Sequence, residues 1–321
     1  MEGEKEKMEP VELTHHSSLT AHHSYHIPVL LDEVIGHLAI NSDGIYVDCT
    51  FGGGGHSKAI LAQLSPSGRL IVFDQDEDAR KNAPDDGRLL FVPHNFRHLR
   101  RFLKLHGVEK VDGLLADLGV SSHQFDEGGR GFSIRFDAAL DMRMDQRQGK
   151  KAVDILKTYT EAQLHKLFEQ YGEITNSKTL AKTIVDVRRS VALDTTEGFK
   201  KAVGSIVKGN PNKYFAQVFQ ALRIEVNDEM GALKELLEQL PEVLKEGGRA
   251  AIITFHSLED RLVKVFFKAG TFEAEEVNPF QMTERKSALK LINKKPIEAT
   301  PEEMKRNPRS RSAKLRVAER V

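Results

Sequence analysis

The 321-residue sequence predicts an α/β fold: a seven-stranded, mostly parallel sheet into which an all-helical domain is inserted. Three observations carry this. Short aliphatic or β-branched runs alternate with helical stretches at the start of the chain. The alternation stops for roughly 90 residues and then resumes. Four consecutive glycines, Gly52 to Gly55, separate the first such run from its helix.

The globular pattern begins at "YHIPVLLDEVIGHL" (25–38), after a polar leader, residues 1–24, that lacks periodicity and reads as disordered. His15, His16, His22 and His23 in that leader are read as solvated side chains, with no metal site expected. Strands are expected at "IYVDCT" (45–50), "RLIVFD" (69–74), "LLFVPH" (89–94) and "VDGLLADLG" (111–119), with helices starting near His56, Asp76 and Phe96. Strand, helix, strand at this spacing makes parallel neighbours covered on both faces. From 124 to 212 no strand-like run occurs. There "EAQLHKLFEQYGE" puts Leu164, Leu167, Phe168 and Tyr171 on one helical face, and "KTLAKTIVDVRRS" does so with Leu180, Ile184 and Val187. This predicts a helical domain over 124–212, set between the halves 25–123 and 213–321 of the main domain. One long helix (214–244) then leads to a fifth strand, "GGRAAIITF" (247–255), and its helix "SLEDRLVKVFFK". Runs around "LKLIN" (289–293) and "AKLRVAER" (313–320) complete the seven.

Composition bounds the function. With 40% apolar and 29% charged residues the chain has an ordinary globular make-up. No apolar run approaches the roughly 20 residues of a membrane span, and the acidic start lacks a signal peptide's apolar core, so a cytoplasmic protein without membrane contact is expected. The single cysteine, Cys49, excludes an internal disulfide and any multi-thiolate metal site. The net charge of zero hides an asymmetry: five glutamates oppose two lysines over residues 2–12, whereas seven Lys and Arg oppose one Glu over 305–321. That basic stripe suits a polyanion or a solvated tail.

A glycine-rich turn between a first strand and its helix is a usual place for a nucleotide-like ligand, because glycine removes bulk where backbone must come close. The dinucleotide pattern is incomplete here, with Ser57 in the third glycine position, and no Gly-Lys-Ser/Thr ending makes a phosphate loop. Asp74 closes the second strand twenty residues after Gly54, where a carboxylate can accept both hydroxyls of a ribose. From these residues an adenosine-like cofactor follows, with NAD and S-adenosyl-L-methionine both open. Asp48-x-Thr50-x-Gly52-x-Gly54 resembles the acidic-start glycine motif of class I methyltransferases, with Thr50 where a glycine is common.

The segments "HIPVLLDEV", "DCTFGGGGHS", "DLGVSSHQFD", "RGFS", "LDMRMD", "FQALRIEVNDE", "FHSLEDR" and "NPRSRSAKLRVAER" occur in order and together resemble the bacterial MraW family of small-subunit ribosomal RNA methyltransferases, over about residues 25–321. The resemblance implies a class I methyltransferase fold, Rossmann-like, with a helical domain inserted after the fourth strand. It also implies S-adenosyl-L-methionine as cofactor and the exocyclic N4 of one cytidine in the decoding region as acceptor. Its partner would be the ribosomal RNA or the assembled small subunit. Carried onto this chain, cofactor contacts fall on Gly54, Gly55, His56, Asp74, Phe96, Asp117 and Gln124. The leader departs from the family pattern, and Gly53 falls where the family tolerates other residues.

The residues constrain the chemistry further. Methylation at carbon 5 of cytosine would need a thiolate near the fourth strand, whereas Cys49 lies in the first, so a nitrogen or oxygen acceptor is expected. Cytosine N4 is a poor nucleophile, and Asp117 or a nearby carbonyl could accept its proton; Asp117 could equally serve cofactor alone. His56 is read as a cofactor contact, and His256, just after the fifth strand, as a contact to the base or as a helix cap. The segment from His123 to Lys151 interleaves Phe125, Phe132 and Phe136 with Arg130, Arg135, Arg143 and Arg147, and is expected to form the RNA-binding lip. Gly54→Ala or Gly55→Ala should abolish cofactor binding, and Gly53→Ala should be mild unless its φ is positive. Rival readings are an NAD-dependent dehydrogenase and a non-catalytic RNA-binding factor.

Overall fold

The computed structural model describes residues 28–121, 124, 125, 128–147, 149–272 and 287–321; the leader with its histidines lies outside them. Eight strands form one sheet: β1 Ile45–Asp48, β2 Arg69–Phe73, β3 Leu89–Val92, β4 Val111–Asp117, β5 Leu244–Thr254, β6 Leu289–Leu291, β7 Ile297–Glu298 and β8 Lys314–Arg320. Seven of them follow the path β3-β2-β1-β4-β5-β8-β6. The two-residue β7, too short to leave a periodic signal, joins the outer edge of β8 through Ile297 opposite Leu315. β1 to β5 pair in parallel, and β8 runs antiparallel between β5 and β6. The register aligns Asp48 with Leu115 and Asp117 with Ile253, so the loops after β1, β4 and β5 open at one edge of the sheet.

Alternation along the strands builds two faces. Val47, Ile71, Phe73, Leu114 and Ile252 pack on one side with α9 (Glu229–Val243) and α10 (Ser257–Ala269). Tyr46, Leu70, Val72, Leu115 and Ile253 pack on the other with α1 (Leu31–Leu38) and α2 (Gly55–Leu61). A third core is built mainly on helices, α4 (Ala152–Thr158), α5 (Glu161–Gln170), α6 (Ser177–Val187) and α7 (Thr196–Val203), with Phe132, Leu140, Met142 and Met144 from the segment before them. The predicted faces hold: Leu164, Leu167, Phe168, Leu180 and Ile184 are buried there, with Tyr171 and Val187 at its margin.

Four elements differ from expectation. The helix near Asp76 is a 3-10 turn, Glu77–Asn82, because Pro84 holds Ala83 in the extended region and ends it. Phe96–His98 is likewise a 3-10 turn, which runs into α3 (Leu99–Leu105). The opening third of the insertion, 128–151, is irregular apart from one short 3-10 turn, Gly128–Arg130. The long helix is two helices, α8 (Pro211–Asn227) and α9, broken at Asp228, which takes the left-handed conformation at φ 47°. Tyr214, Phe215, Val218, Phe219 and Leu222 of α8 belong to the helical core, so that core continues past residue 212.

Candidate cofactor and substrate site

A cavity of about 1150 Å³ opens at the carboxyl edge of the strands. Its walls are the loop after β1, Asp74, Phe96, Asp117 and, across from them, Arg223, Asn227 and Glu229 at the α8/α9 break.

The glycine loop is tied down from behind. Gly52 N–H donates to Asp74 Oδ2 and Asp76 N–H to Asp74 Oδ1, both at 2.8 Å. Burial pushes the Asp74 carboxyl up to about 7 against these two bonds, with Asp76 and Asp48 adding to the rise. Gly54 lies at φ 73°, and a Cβ there would meet the Phe51 ring at 2.8 Å. A Cβ on Gly55 would overlap Pro28, so this glycine makes room for the chain's own segment before α1. Gly53 has neither a positive φ nor an atom within 4 Å of a Cβ, and it lines the cavity. Thr50, at the position where class I methyltransferases commonly carry glycine, accepts Asp117 N–H at 2.7 Å on its hydroxyl and so fixes the end of β4. The buried Asp48 accepts from Ser57 Oγ at 2.6 Å and joins β1 to α2; burial raises its pKa.

His56 is buried, with Nε2 2.9 Å from the Val29 carbonyl. A carbonyl only accepts, so Nε2 carries the proton in this arrangement and Nδ1 is the atom that faces Asp117 Oδ2, at 3.8 Å. Asp117 Oδ1 is buried without a hydrogen-bond partner among the described residues. Burial pushes this carboxyl up to about 6; His56 opposes the rise, while Asp48 and Glu259 add to it.

The opposite wall is ionic. Arg223 donates to both oxygens of Glu229, at 2.8 and 3.0 Å. Burial would raise the Glu259 pKa, but the bond to His256, the Phe255 amide and the Arg223 charge hold it below the usual carboxylate range. Glu229, His256 and Glu259 bring ligand-type atoms within 4.8 Å of one another. Arg223 takes both Glu229 oxygens and His256 Nδ1 accepts Glu259 N–H, while His256 Nε2, 3.2 Å from Glu259 Oε1, is buried without a hydrogen bond among the described residues.

Of the expected cofactor residues, Gly55, His56, Asp74, Phe96, Asp117 and Gln124 line the cavity, while Gly54 shapes the loop from behind. Gln124 spends its amide internally, donating to Asp76 Oδ2 at 2.7 Å and accepting Ser121 N–H at 3.1 Å. The four expected RNA contacts are not brought to the cavity lining. Arg130 donates to Asp76 at 2.6 Å and to the Met144 carbonyl; Arg143 forms a two-pronged pair with Asp141 at 2.7 and 2.8 Å. Arg147 pairs with Asp145 and reaches the Pro93 carbonyl, and His256 caps α10. These arginines brace the irregular segment. Arg223, Asn227 and Glu229 also line the cavity, and the residue pattern alone does not single them out. The available signal was Arg223 itself, a charge four residues after Phe219 on the apolar stripe of α8.

The strand order, the single antiparallel strand between β5 and β6, and a ligand-sized cavity at the strand ends define a class I methyltransferase. The chain belongs to the MraW methylase family, whose family model matches residues 23–321. Ribosomal RNA small subunit methyltransferase H of Azobacteroides pseudotrichonymphae genomovar. CFP2 is 54% identical over 298 residues, 92% of this chain and 98% of that protein. The protein of the same name from Flavobacterium johnsoniae is 51% identical over 304 residues, 94% and 100% of the two chains. Among solved structures, an rRNA methylase from Streptococcus thermophilus aligns with a TM-score of 0.38 at 12% identity, covering 91% of this chain and 93% of its own. No described helix is long and apolar enough to cross a membrane.

Proposed function

We propose that this methyltransferase moves a methyl group from S-adenosyl-L-methionine to the exocyclic N4 of one cytidine in the decoding region of small-subunit ribosomal RNA. The acceptor is free RNA or the assembled subunit, and the reaction is cytoplasmic. The substrate class rests on relatives about half identical over nearly the whole chain, named as small-subunit ribosomal RNA methyltransferases. The proton-accepting role of Asp117 rests on one observation, its place in the cavity wall with Oδ1 unpartnered among the described residues, and N4 as the methylated atom rests on the family resemblance.

The cavity suits the cofactor. Asp74 offers a carboxylate to ribose hydroxyls, Phe96 an apolar surface to the base, and the open backbone at Gly53 room for the methionyl end. His56 and Gln124 complete that wall. When bound, the cofactor supplies a methyl group on a cationic sulfur, an electrophile that needs no covalent enzyme intermediate. The protein's task is to hold N4 in line behind that carbon. Asp117 accepts the N4 proton as the N–C bond forms and the C–S bond breaks, which frees the nitrogen lone pair from the ring. His56 Nδ1 faces Asp117 at 3.8 Å, and only an imidazolium that carries a second proton there stabilises the charged carboxylate.

Mass spectrometry of small-subunit RNA from cells with and without the gene tests the reading, since it reports both nucleotide and atom. Asp117→Asn should keep S-adenosylhomocysteine affinity within a few-fold and lose about a hundredfold or more in turnover. Near-full turnover in that variant would remove Asp117 from the proton's path.

A further inference from the structure

Two arginines stack on the aromatic rings at the cavity mouth. The Arg135 guanidinium lies over the Phe125 ring at 5.6 Å and over Phe136 at 5.8 Å; Arg309 lies over the same Phe125 ring at 5.8 Å. Phe125 and Arg309 both line the cavity, whereas Phe136 is 45% exposed. Two cations from segments far apart in the chain thus converge on one ring at the cavity rim, and an aromatic track leads from that ring out to solvent. Arg309 sits in the C-terminal 3-10 turn Pro308–Ser312, with Arg306 and Arg311 exposed beside it.

We propose that Arg135, Arg309 and Phe136 form a binding strip for the single-stranded RNA that flanks the target nucleotide. Resting on the reading of this chain as an RNA methyltransferase, the strip assigns the RNA contact to residues other than Arg130, Arg143 and Arg147. A base that enters the cavity leaves its stack, and its neighbour loses a stacking partner. Phe136 offers a replacement face, while the two guanidiniums take the phosphates on either side. Aromatic faces and cations in this combination are the usual means of holding single-stranded nucleic acid.

The test is fluorescence anisotropy with a labelled single-stranded oligoribonucleotide spanning the methylated cytidine, titrated at several salt concentrations, with S-adenosylhomocysteine affinity and Tm measured in parallel. Arg135→Glu and Arg309→Glu should each weaken RNA binding about tenfold at low salt and lower the slope of log K against log salt by about one or two. Phe136→Ala should weaken binding about tenfold with the slope unchanged. If charge reversal at Arg135 or Arg309 lowers Tm, Arg135→Gln and Arg309→Gln replace those variants, with a slope change of about one expected. Wild-type RNA affinity and salt slope in these variants, with methylation retained, would overturn the strip and leave the methyltransferase reading intact. A wild-type protein that neither binds the oligonucleotide nor methylates small-subunit RNA would overturn both.

Discussion

Asp74 and Asp117 are carboxylates kept from water at the ends of β2 and β4, and each turns burial into a pH dependence. The folded Asp74 carboxyl titrates near 7 against an ordinary 3.8, so between these values the folded protein holds a proton that the unfolded chain has released. Stability therefore falls as pH rises through that window, and Asp74→Asn should flatten the fall in urea titrations. Ribose hydroxyls donate best to the ionised form. Calorimetry should accordingly show S-adenosylhomocysteine affinity rising about tenfold from pH 6 to pH 8, and a flat profile for Asp74→Asn. Turnover under saturating cofactor should decline below about pH 6, as Asp117 becomes protonated and can no longer accept. The glycines separate by cause. Gly54→Ala should cost about 1–2 kcal/mol from its left-handed backbone alone, before the Phe51 ring is displaced. Gly55→Ala should disturb Pro28 and through it the entry to α1, while Gly53→Ala should stay within about 0.5 kcal/mol by thermal unfolding. Asp74 could be singled out from its strand end and its spacing to the glycine turn, whereas Asp117 came as a cofactor contact only with the family resemblance; both line the cavity. The places of Arg130 and Arg143 were not legible, since the carboxylates that claim them, Asp76 and Asp141, depend on how an irregular segment folds back.

At the scale of elements, the break between α8 and α9 brings Arg223 and Asn227, before it, together with Glu229, after it, in one stretch of the cavity lining. No glycine or proline marks it. Asp228 tolerates φ 47° and pairs with Arg97 at 2.6 Å, an attraction weakened by the exposure of the aspartate. Asp228→Ala should cost about 1 kcal/mol in chemical denaturation, and Asp228→Gly should cost less because glycine adopts the same backbone freely. Equal losses in both variants would place the stability in the ion pair instead. The reverse misreading occurred at Glu77–Asn82, where a helical-looking stretch is cut short by Pro84. Seven of the eight strands were readable to within about three residues, β7 being the exception, because a buried sheet demands continuous apolar runs that little else in a polar chain imitates.

At the scale of the whole molecule, the helical core is coupled to the sheet through the α8/α9 junction and through the segment carrying Arg130 and Arg143. Both attachments converge on the cavity, where Met144 and Asn227 sit beside residues from the sheet. S-adenosylhomocysteine should therefore slow amide exchange in α5 and α6 as well as in β1 and β4. Phe168→Ala, which empties a fully buried site in the helical core, should cost about 3–5 kcal/mol and shift one cooperative transition. Two resolved transitions, with only one raised by ligand, would mean that the cores melt separately. The broad architecture was visible in the sequence because its periodicities change between the two kinds of core. The coupling was not, since it depends on ion pairs between residues some 50 to 130 positions apart, Arg130 with Asp76 and Arg97 with Asp228.

Cys49 adds a practical consequence. It is the sole thiol of the chain, it is 2% exposed beside the glycine loop, and burial holds its pKa well above the ordinary value. Because Cys49 lies in the cavity lining, an alkylating reagent reaches it only when the wall around the glycine loop opens, so the labelling rate of the native protein is a built-in clock for opening of the cofactor-binding half.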